Sequence, residues 1–222
     1  MSGRQTMIDE IAATARETAE ETGRPVLDGR VMSAVASVPR EAFVPATEER
    51  YAYRNNALPI GHGQTISQPY IVALMTDLLN PQPDHVVLEV GTGSGYQAAV
   101  LSGLVRQVYS VEVIPELAAE AQERLARLGC RNVGVTVGDG NSGWPEHAPY
   151  DGIIVTAATP QVPAALLAQL RNNSRMVIPL GQSGSQRLVS IEKTGHGVVS
   201  ERDVLAVAFV PLVGGHHRER AG

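Results

Sequence analysis

The residues best suited to chemistry lie in and around a glycine-rich turn that follows an apolar run. Residues 87–96 read Val-Leu-Glu-Val-Gly-Thr-Gly-Ser-Gly-Tyr, so that glycine recurs at every second position from Gly91 to Gly95. Glycine adopts the left-handed backbone of tight turns and lets a ligand lie directly against the main chain. A helix after such a turn presents unpaired N–H groups to that ligand. The pattern therefore predicts a ligand-binding turn at the end of a parallel strand.

Two acidic residues near this turn indicate the kind of ligand. Glu112 follows the next apolar run, about 20 residues beyond the turn, where a carboxylate can accept both hydroxyls of a ribose. Glu89 lies inside the first run, two residues before Gly91, where a pyrophosphate-binding site has no use for a carboxylate. The ligand is therefore expected to contain a nucleoside, with a cationic group close to Glu89.

S-Adenosylmethionine meets both requirements. It has no phosphate, and its ammonium and sulfonium groups are cations that a nearby carboxylate favours. The spacing G-x-G-x-G also differs from the dinucleotide spacing G-x-G-x-x-G. An NAD or FAD turn, or a purely structural tight turn, is the alternative. We predict S-adenosylmethionine as the cofactor.

Asp139 and Gly140 offer a further contact, because they follow a third apolar run within Gly138-Asp139-Gly140. An aspartate at the carboxyl end of a parallel strand can reach the exocyclic amine of adenine. An ordinary Asp-Gly turn is the alternative. Three strand ends would meet on the same face, which favours cofactor contact. The predicted cofactor-binding residues are Glu89, Gly91, Thr92, Gly93, Ser94, Gly95, Glu112, Asp139 and Gly140.

A second unusual segment, residues 60–70, places small hydroxyl side chains just ahead of a predicted helix. Thr65 or Ser67 could cap the N-terminus of the helix that starts at Pro69. Ser67 could instead donate a hydrogen bond to a carboxylate that accepts a methyl group. The residues alone leave these two readings open. The predicted substrate-binding residues are Thr65, Ile66, Ser67 and Gln68.

The elements that would position these residues begin with helices. Helices are predicted over residues 6–22 and 28–37, the second with Asp28 as its N-cap, and over residues 69–80. Residues 40–69 read as an irregular stretch. Loops of that length are usually functional or disordered, and the aromatic and apolar side chains of this one favour a functional role.

From residue 85 onward, short apolar runs alternate with helical segments, as in a parallel sheet buried on both faces. Strands are predicted over residues 85–90, 107–111, 133–137, 152–156 and 175–179, and helices over 96–102, 115–128 and 162–170. Residues 187–193 and 198–211 predict an antiparallel hairpin at one edge, with Gly195 in its turn. The predicted fold is α/β, a doubly wound, mostly parallel, Rossmann-like methyltransferase sheet. We expect one domain over residues 1–222, with a helical cap and substrate loop to about residue 80.

Composition limits the partners and the compartment. The net charge is −5 and no block rich in Lys or Arg occurs, which argues against nucleic acid or an anionic membrane as the main partner. Cys130 is the only cysteine, which suits a reducing compartment. No run approaches the ~20 apolar residues that cross a bilayer, and the first residues are polar. We expect a cytoplasmic monomer. His216 and His217 suggest a frayed tail and no metal site.

With these motifs in place, the sequence resembles the bacterial protein-L-isoaspartate O-methyltransferases from about residue 30 to residue 214. The resemblance rests on residues 38–45, 57–70 and 87–101, extended by shorter matches around residues 138–145, 153–158 and 209–212. The segment Thr65-Ile66-Ser67-Gln68-Pro69 is distinguishing, since general S-adenosylmethionine enzymes lack it. The resemblance implies that Ser67 is the active-site serine. It also implies that the glycine turn holds the methionine portion of the cofactor.

The reaction implied by this resemblance is methylation of the free α-carboxyl of an L-isoaspartyl residue in damaged proteins and peptides, which starts repair through a succinimide. A related class methylates an unmodified Asp of a biosynthetic peptide, and a binding module that senses S-adenosylmethionine is a further alternative. The chain departs from the family pattern at Arg54, at Asn141 and over residues 171–174. Arg54 lies near the predicted substrate loop and bears on the choice of peptide.

Overall fold

The computed structural model describes residues 3–196 and 199–214, and it begins with three helices. The helix expected over residues 6–22 is two helices, α1 (Gly3–Glu17) and α2 (Ala19–Thr22), which meet at Thr18. The Thr18 hydroxyl donates to the carbonyl of Thr14 at 3.0 Å and lies 2.5 Å from the hydroxyl of Tyr70. Helix α3 (Gly29–Ser37) begins after Asp28, whose carboxylate accepts the N–H of Arg30 at 2.6 Å. The predicted N-cap is confirmed.

Residues 40–69 are more ordered than an irregular stretch, which corrects the expectation. They contain two 3₁₀ turns, Arg40–Phe43 and Glu49–Tyr51, and an antiparallel hairpin of two short strands. The hairpin strands are β1 (Leu58–Gly61) and β2 (Gln64–Ile66). His62 and Gly63 form its turn with φ of 53° and 70°, the left-handed pair that a tight two-residue hairpin turn requires.

Helix α4 (Pro69–Leu79) joins the hairpin to the rest of the fold and is buried around almost its whole circumference. It packs against α1 and α3 on one side and against the central sheet on the other. A helix that is apolar all round is stable only when it is enclosed in this way. The substrate segment before Pro69 is therefore anchored to the core of the molecule.

The alternation expected from residue 85 onward is confirmed. The first four strands of the central sheet are parallel to one another, namely β3 (Val86–Val90), β4 (Gln107–Glu112), β5 (Val133–Val137) and β6 (Tyr150–Val155). Its helices are α5 (Tyr96–Ser102), α6 (Pro115–Arg127) and α7 (Ala164–Gln169). Three longer strands complete it, namely β7 (Leu170–Gln182), β8 (Ser185–Lys193) and β9 (Val199–Val207).

The seven strands lie in the order β5-β4-β3-β6-β7-β8-β9. From β5 to β7 in this spatial order, all neighbouring strands are parallel. Strand β8 is antiparallel to both β7 and β9, as the predicted edge hairpin requires. The chain moves outward from β3 to β5 and then returns to place β6 on the other side of β3. This reversal opens a crevice at the carboxyl ends of the strands, which is where open α/β sheets bind ligands.

Two strand boundaries differ from the expectation. Strand β7 starts at Leu170, directly after α7, and therefore includes the polar residues 171–174, which carry no strand pattern. The strand is irregular there, since Asn173 has a left-handed φ of 60° and pairing with β6 resumes only at Arg175. Strand β9 ends at Val207, and residues 208–211 leave the sheet edge. This segment crosses the carboxyl end of β6, where the N–H of Ala158 donates to Val210 and the N–H of Leu212 donates to Ala158. The part of the chain that the structure describes contains no helix of the length and apolarity that span a bilayer.

Candidate active site

A cleft of about 760 Å³, part of it open to solvent, lies at the carboxyl ends of β3, β4 and β6. It brings together most residues that the sequence singled out. Those that line it are Thr65, Ile66, Ser67, Glu89, Gly91, Thr92, Gly93, Ser94, Glu112 and Gly140. Gln68, Gly95 and Asp139 lie beside the cleft but do not line it.

The glycine turn approaches its neighbours too closely for side chains. Gly91 has φ of 95°, and a Cβ there would collide with the hydroxyl of Thr156, which donates to the Gly91 carbonyl at 2.6 Å. Gly95 has φ of 89° and precedes α5, and a Cβ there would press on Leu125 of α6. Gly91 therefore shapes the floor of the cleft, whereas Gly95 admits the neighbouring helix.

The carboxylate of Glu112 is buried and held by three backbone N–H groups. One oxygen accepts from Gly93 at 2.8 Å, and the other accepts from Val113 and Ile114 at 2.9 and 3.0 Å. An ionised carboxylate has about four acceptor positions. One position therefore remains for a ligand hydroxyl, which makes Glu112 both a clamp on the glycine turn and a candidate ribose contact.

Glu89 is fully buried at the bottom of the cleft, and one of its oxygens has no partner. The other accepts from the hydroxyl of Ser110, which in turn lies 2.6 Å from the hydroxyl of Thr92. Burial raises the pKa of the Glu89 carboxyl to about 8, against the opposing effect of Ser110. A buried carboxylate oxygen that makes no hydrogen bond in the protein fits a cationic ligand group, such as the ammonium of S-adenosylmethionine. The nearby backbone N–H of Ala98 also favours the charged form of Glu89 and so lowers its pKa.

Asp139 and Gly140 follow strand β5, and Gly140 lines the cleft. Asp139 accepts two hydrogen bonds from Asn141, one from its N–H and one from its side-chain amide, both at 2.9 Å. Gly140 lies between Val90 and Leu212, where a Cβ would come within 2.6 and 2.9 Å of those side chains. The Asn141 departure thus fixes the Asp139 carboxylate, and Gly140 allows the segment around Leu212 to close on the cleft.

The hydroxyl of Ser67 is not used to cap α4. The residue at the N-cap position is Gln68, and its side chain makes no capping bond. The N–H of Tyr70 is instead satisfied by the side chain of Asn55 at 2.9 Å. The capping reading of Ser67 is therefore wrong. Ser67 faces both the cofactor cleft and a second cavity of about 1130 Å³, which share the lining residues Thr65, Ser67, Thr156 and Val210.

Several residues of the site escaped sequence analysis. Arg40 donates to the carbonyl of Ser67 at 2.7 Å, although an arginine is normally expected at the surface. Residues 210–213 form a wall of the cleft. In the sequence they are an apolar run at the end of the last predicted strand, and such a run does not indicate that it lines a binding site. Arg124 of α6 donates to the carbonyl of Ser94 at 2.7 Å, and its only sequence signal was a place on a charged helix face.

No metal centre is visible within residues 3–196 and 199–214, since no three His, Cys, Asp or Glu side chains cluster there. His216 and His217 lie outside the described residues, so the prediction made for them stays a prediction.

The sheet is doubly wound, and the G-x-G-x-G turn lies at its reversal point. A buried acid with one unpartnered oxygen lies below that turn, and a second acid lies at the next strand end. Together these features define the S-adenosylmethionine-dependent methyltransferase class. Within that class, the chain belongs to the protein-L-isoaspartate(D-aspartate) O-methyltransferase (PCMT) family, whose model matches residues 18–217. The family expected from the motifs is confirmed.

Individual relatives agree with this assignment. The chain is 57% identical, over 94% of its length and 99% of the relative, to protein-L-isoaspartate O-methyltransferase 2 of Polaromonas sp.. It is 56% identical to protein-L-isoaspartate O-methyltransferase 2 of Syntrophobacter fumaroxidans, over 97% of its own length and 87% of the relative. A solved protein-L-isoaspartate O-methyltransferase superposes with a TM-score of 0.83 at 27% identity, over 96% of this chain and 66% of that one.

Proposed function

We propose that the acceptor segment, residues 65–68, presents the free α-carboxylate of an L-isoaspartyl residue to S-adenosylmethionine in the adjoining cleft. The enzyme is an S-adenosylmethionine-dependent protein-L-isoaspartate methyltransferase, which starts repair of the damaged residue through a succinimide. The observation that carries the proposal is one shared wall. Thr65 and Ser67 line both the cleft with the two acids and the second cavity, so a donor and an acceptor bound on either side would meet at Ser67.

The cofactor is held by charge at one end and by hydrogen bonds at the other. The unpartnered oxygen of Glu89 pairs with its ammonium group, and the free acceptor position of Glu112 takes one ribose hydroxyl. The backbone from Gly91 to Ser94 packs against the methionine portion. Asp139 and Gly140 lie at the adenine end, where the Asp139 carboxylate is held in place by Asn141.

The acceptor needs orientation and no base. When bound, the cofactor supplies a methyl group whose carbon–sulfur bond breaks as the acceptor oxygen bonds to carbon. A free α-carboxyl, with an ordinary pKa of ~3.5, is already an anion at neutral pH. Ser67 donates a hydrogen bond that aims one carboxylate oxygen, and Thr65, Ile66 and Gln68 hold the peptide around it. Alignment and exclusion of water then account for the rate.

A pair of peptides tests the function directly. With radiolabelled S-adenosylmethionine, we expect methyl transfer to a peptide that contains L-isoaspartate and little transfer to the same peptide with ordinary L-aspartate. Only the isoaspartyl residue has its free α-carboxyl at the position that the acceptor segment addresses. Preferential labelling of the aspartyl peptide would favour the related class that acts on unmodified Asp. Labelling of neither peptide would contradict the proposal that the methyl acceptor is an isoaspartyl α-carboxylate.

Replacement of Ser67 with alanine tests the orienting role. We expect kcat for the isoaspartyl peptide to fall roughly tenfold or more, because a hydrogen bond to a charged group is worth about 1.5–3 kcal/mol. The dissociation constant for S-adenosylmethionine, measured by titration calorimetry, should change less than twofold. Ser33→Ala on the exposed face of α3 is the matched control. An equal loss of cofactor affinity in Ser67→Ala would make the serine structural instead.

We also propose that the chain acts as a cytoplasmic monomer of one domain, with isoaspartyl proteins and peptides as partners and without nucleic acid or membrane. The net charge of −5, the lack of a basic block and the lone Cys130 support this setting. The packing of helix α4 supports the single domain, because this helix joins the N-terminal helices to the sheet in a shared core.

A further inference from the structure

Arg40 is fully buried directly behind the acceptor segment. Its Nε–H donates to the carbonyl of Ala52 at 2.9 Å, and its Nη2 donates to the carbonyls of Ser67 at 2.7 Å and Asn56 at 3.4 Å. One guanidinium therefore ties the loop before the hairpin to the segment after it. The planar fork of arginine suits such simultaneous contacts, which a lysine cannot reproduce in full.

The charge of Arg40 has no carboxylate counter-ion among the described residues. None of the ion pairs among residues 3–196 and 199–214 involves it, and its hydrogen bonds all go to neutral carbonyls. Burial lowers the pKa of the guanidinium to about 10, which still leaves it protonated at neutral pH. Buried charges in proteins are normally paired, so an unpaired one calls for a partner that arrives from outside.

The side of Arg40 away from these carbonyls faces the cleft wall. The face of the Tyr96 ring lies 4.7 Å from the guanidinium carbon, and Tyr96 lines the cofactor cleft. The Nη1 group of Arg40 and the hydroxyl of Tyr96 are both buried and have no other hydrogen-bond partner, and the interaction between the two side chains raises the pKa of Arg40 against the effect of burial. A positive charge therefore lies behind the acceptor segment and beside Tyr96, which belongs to the cleft wall.

We propose that Arg40 is a positioning residue whose uncompensated charge draws the acceptor carboxylate to Ser67. The inference rests on the proposed function, because the acceptor must be an anion beside Ser67. Arg40 acts through the field of its charge and through the Ser67 carbonyl, without touching the substrate. The methyl ester formed in the reaction is neutral, so the same charge attracts the substrate and has no hold on the product.

Two substitutions separate the charge from the shape of Arg40. We expect Arg40→Gln to raise the KM for an isoaspartyl peptide roughly tenfold or more, since an opposite charge at close range in a protein interior is a strong attraction. The dissociation constant for S-adenosylmethionine should change less than twofold. Arg40→Lys, which keeps the charge and loses the fork, should recover most of the KM effect. Arg187→Gln, a surface change of the same type in β8, is the control.

Equal KM values for the Gln and Lys variants would overturn the proposal, and so would a loss of cofactor affinity as large as the KM effect. If neither variant folds, an NMR titration of the unaltered enzyme still tests the proposal. In protein labelled with ¹⁵N-arginine and saturated with S-adenosylhomocysteine, the protected Nε–H resonance of Arg40 should shift on addition of the isoaspartyl peptide. Its α-carboxamide analogue should leave the resonance in place. A shift with both peptides, or with neither, contradicts the proposal.

These results are distinguishable from failure of the proposed function. If the unaltered enzyme does not methylate the isoaspartyl peptide, the function itself is wrong. If it methylates that peptide and the Gln variant keeps the same KM, the function stands and Arg40 has only a structural role.

Discussion

Replacing Glu89 with glutamine is expected to abolish a pH dependence of cofactor binding that the unaltered enzyme shows. The Glu89 carboxyl has a pKa of about 8 because it is fully buried, so the free enzyme holds it protonated at pH 7. Pairing with the cofactor ammonium requires the anion. Affinity for S-adenosylmethionine should therefore rise by up to about tenfold per pH unit between pH 6 and pH 8, with release of about one proton.

Titration calorimetry in two buffers of different ionisation enthalpy measures that proton. Unaltered enzyme at pH 7 should give different apparent enthalpies in the two buffers, whereas Glu89→Gln should give the same value in both. The variant should also bind the cofactor about a hundredfold more weakly at pH 8, since a charge-assisted contact of about 3 kcal/mol is lost. An affinity that is independent of pH in the unaltered enzyme would contradict the assignment of Glu89 to the ammonium.

The same substitution should stabilise the free protein. The folded-state pKa of Glu89 lies above its ordinary value of 4.5. The contribution of its bound proton to the free energy of unfolding is therefore complete below pH 4.5 and is lost as pH rises towards 8. Over that window each pH unit lowers the free energy of unfolding by about 1.4 kcal/mol, which amounts to about 3 kcal/mol by pH 7. Glu89→Gln has no proton to lose. Its free energy of unfolding by urea should exceed that of the unaltered protein at pH 7 and match it near pH 4.

Replacing Glu112 with alanine should weaken S-adenosylmethionine binding by about two orders of magnitude. The variant loses a contact to a ribose hydroxyl and also frees the N–H groups of Gly93, Val113 and Ile114, which loosens the glycine turn. Calorimetric titration gives the dissociation constant. Glu123→Ala on the exposed face of α6 is the matched control, with an unchanged constant expected.

Deoxy analogues of S-adenosylhomocysteine separate the direct contact from the loosened turn. Because one acceptor position of Glu112 is free, removal of only one of the two ribose hydroxyls should weaken binding to the unaltered enzyme. The same removal should cost nothing in Glu112→Ala, as expected when both partners of one hydrogen bond are removed in turn. If both analogues lose equal affinity in the variant and in the unaltered enzyme, Glu112 only clamps the turn.

The sheet core could be predicted from sequence because its strands are buried on both faces. Strands such as β3 and β6 are short apolar runs with helical segments between them, and turn signals mark their ends. The cofactor residues were found for the same reason, since Gly91, Glu89 and Glu112 follow or interrupt those runs. At these positions the local residue pattern and the tertiary structure agree.

Other features had no local pattern to reveal them. The hairpin strands β1 and β2 have three or four residues each and contain Pro59 and Gly61, residues that usually argue against a strand. Residues 171–173 at the start of β7 are exposed and polar, and they lie between the β6 pairing of Leu170 and that of Arg175, where the strand is irregular and Asn173 has a left-handed φ of 60°. The burial of Arg40 depends on carbonyl groups 12 to 27 residues away, which no window of sequence brings together.

The wall formed by residues 210–213 has a consequence for the newly made protein. A ribosome completes the acceptor segment, the glycine turn, both acids and Gly140 well before it reaches Val210. Until then the crevice lacks the side on which Leu212 closes against Gly140, and Ala158 lacks both of its backbone partners from that segment. A growing chain that already has its core strands therefore still has an open crevice. The cleft is therefore completed by a segment that is translated after all its other lining residues.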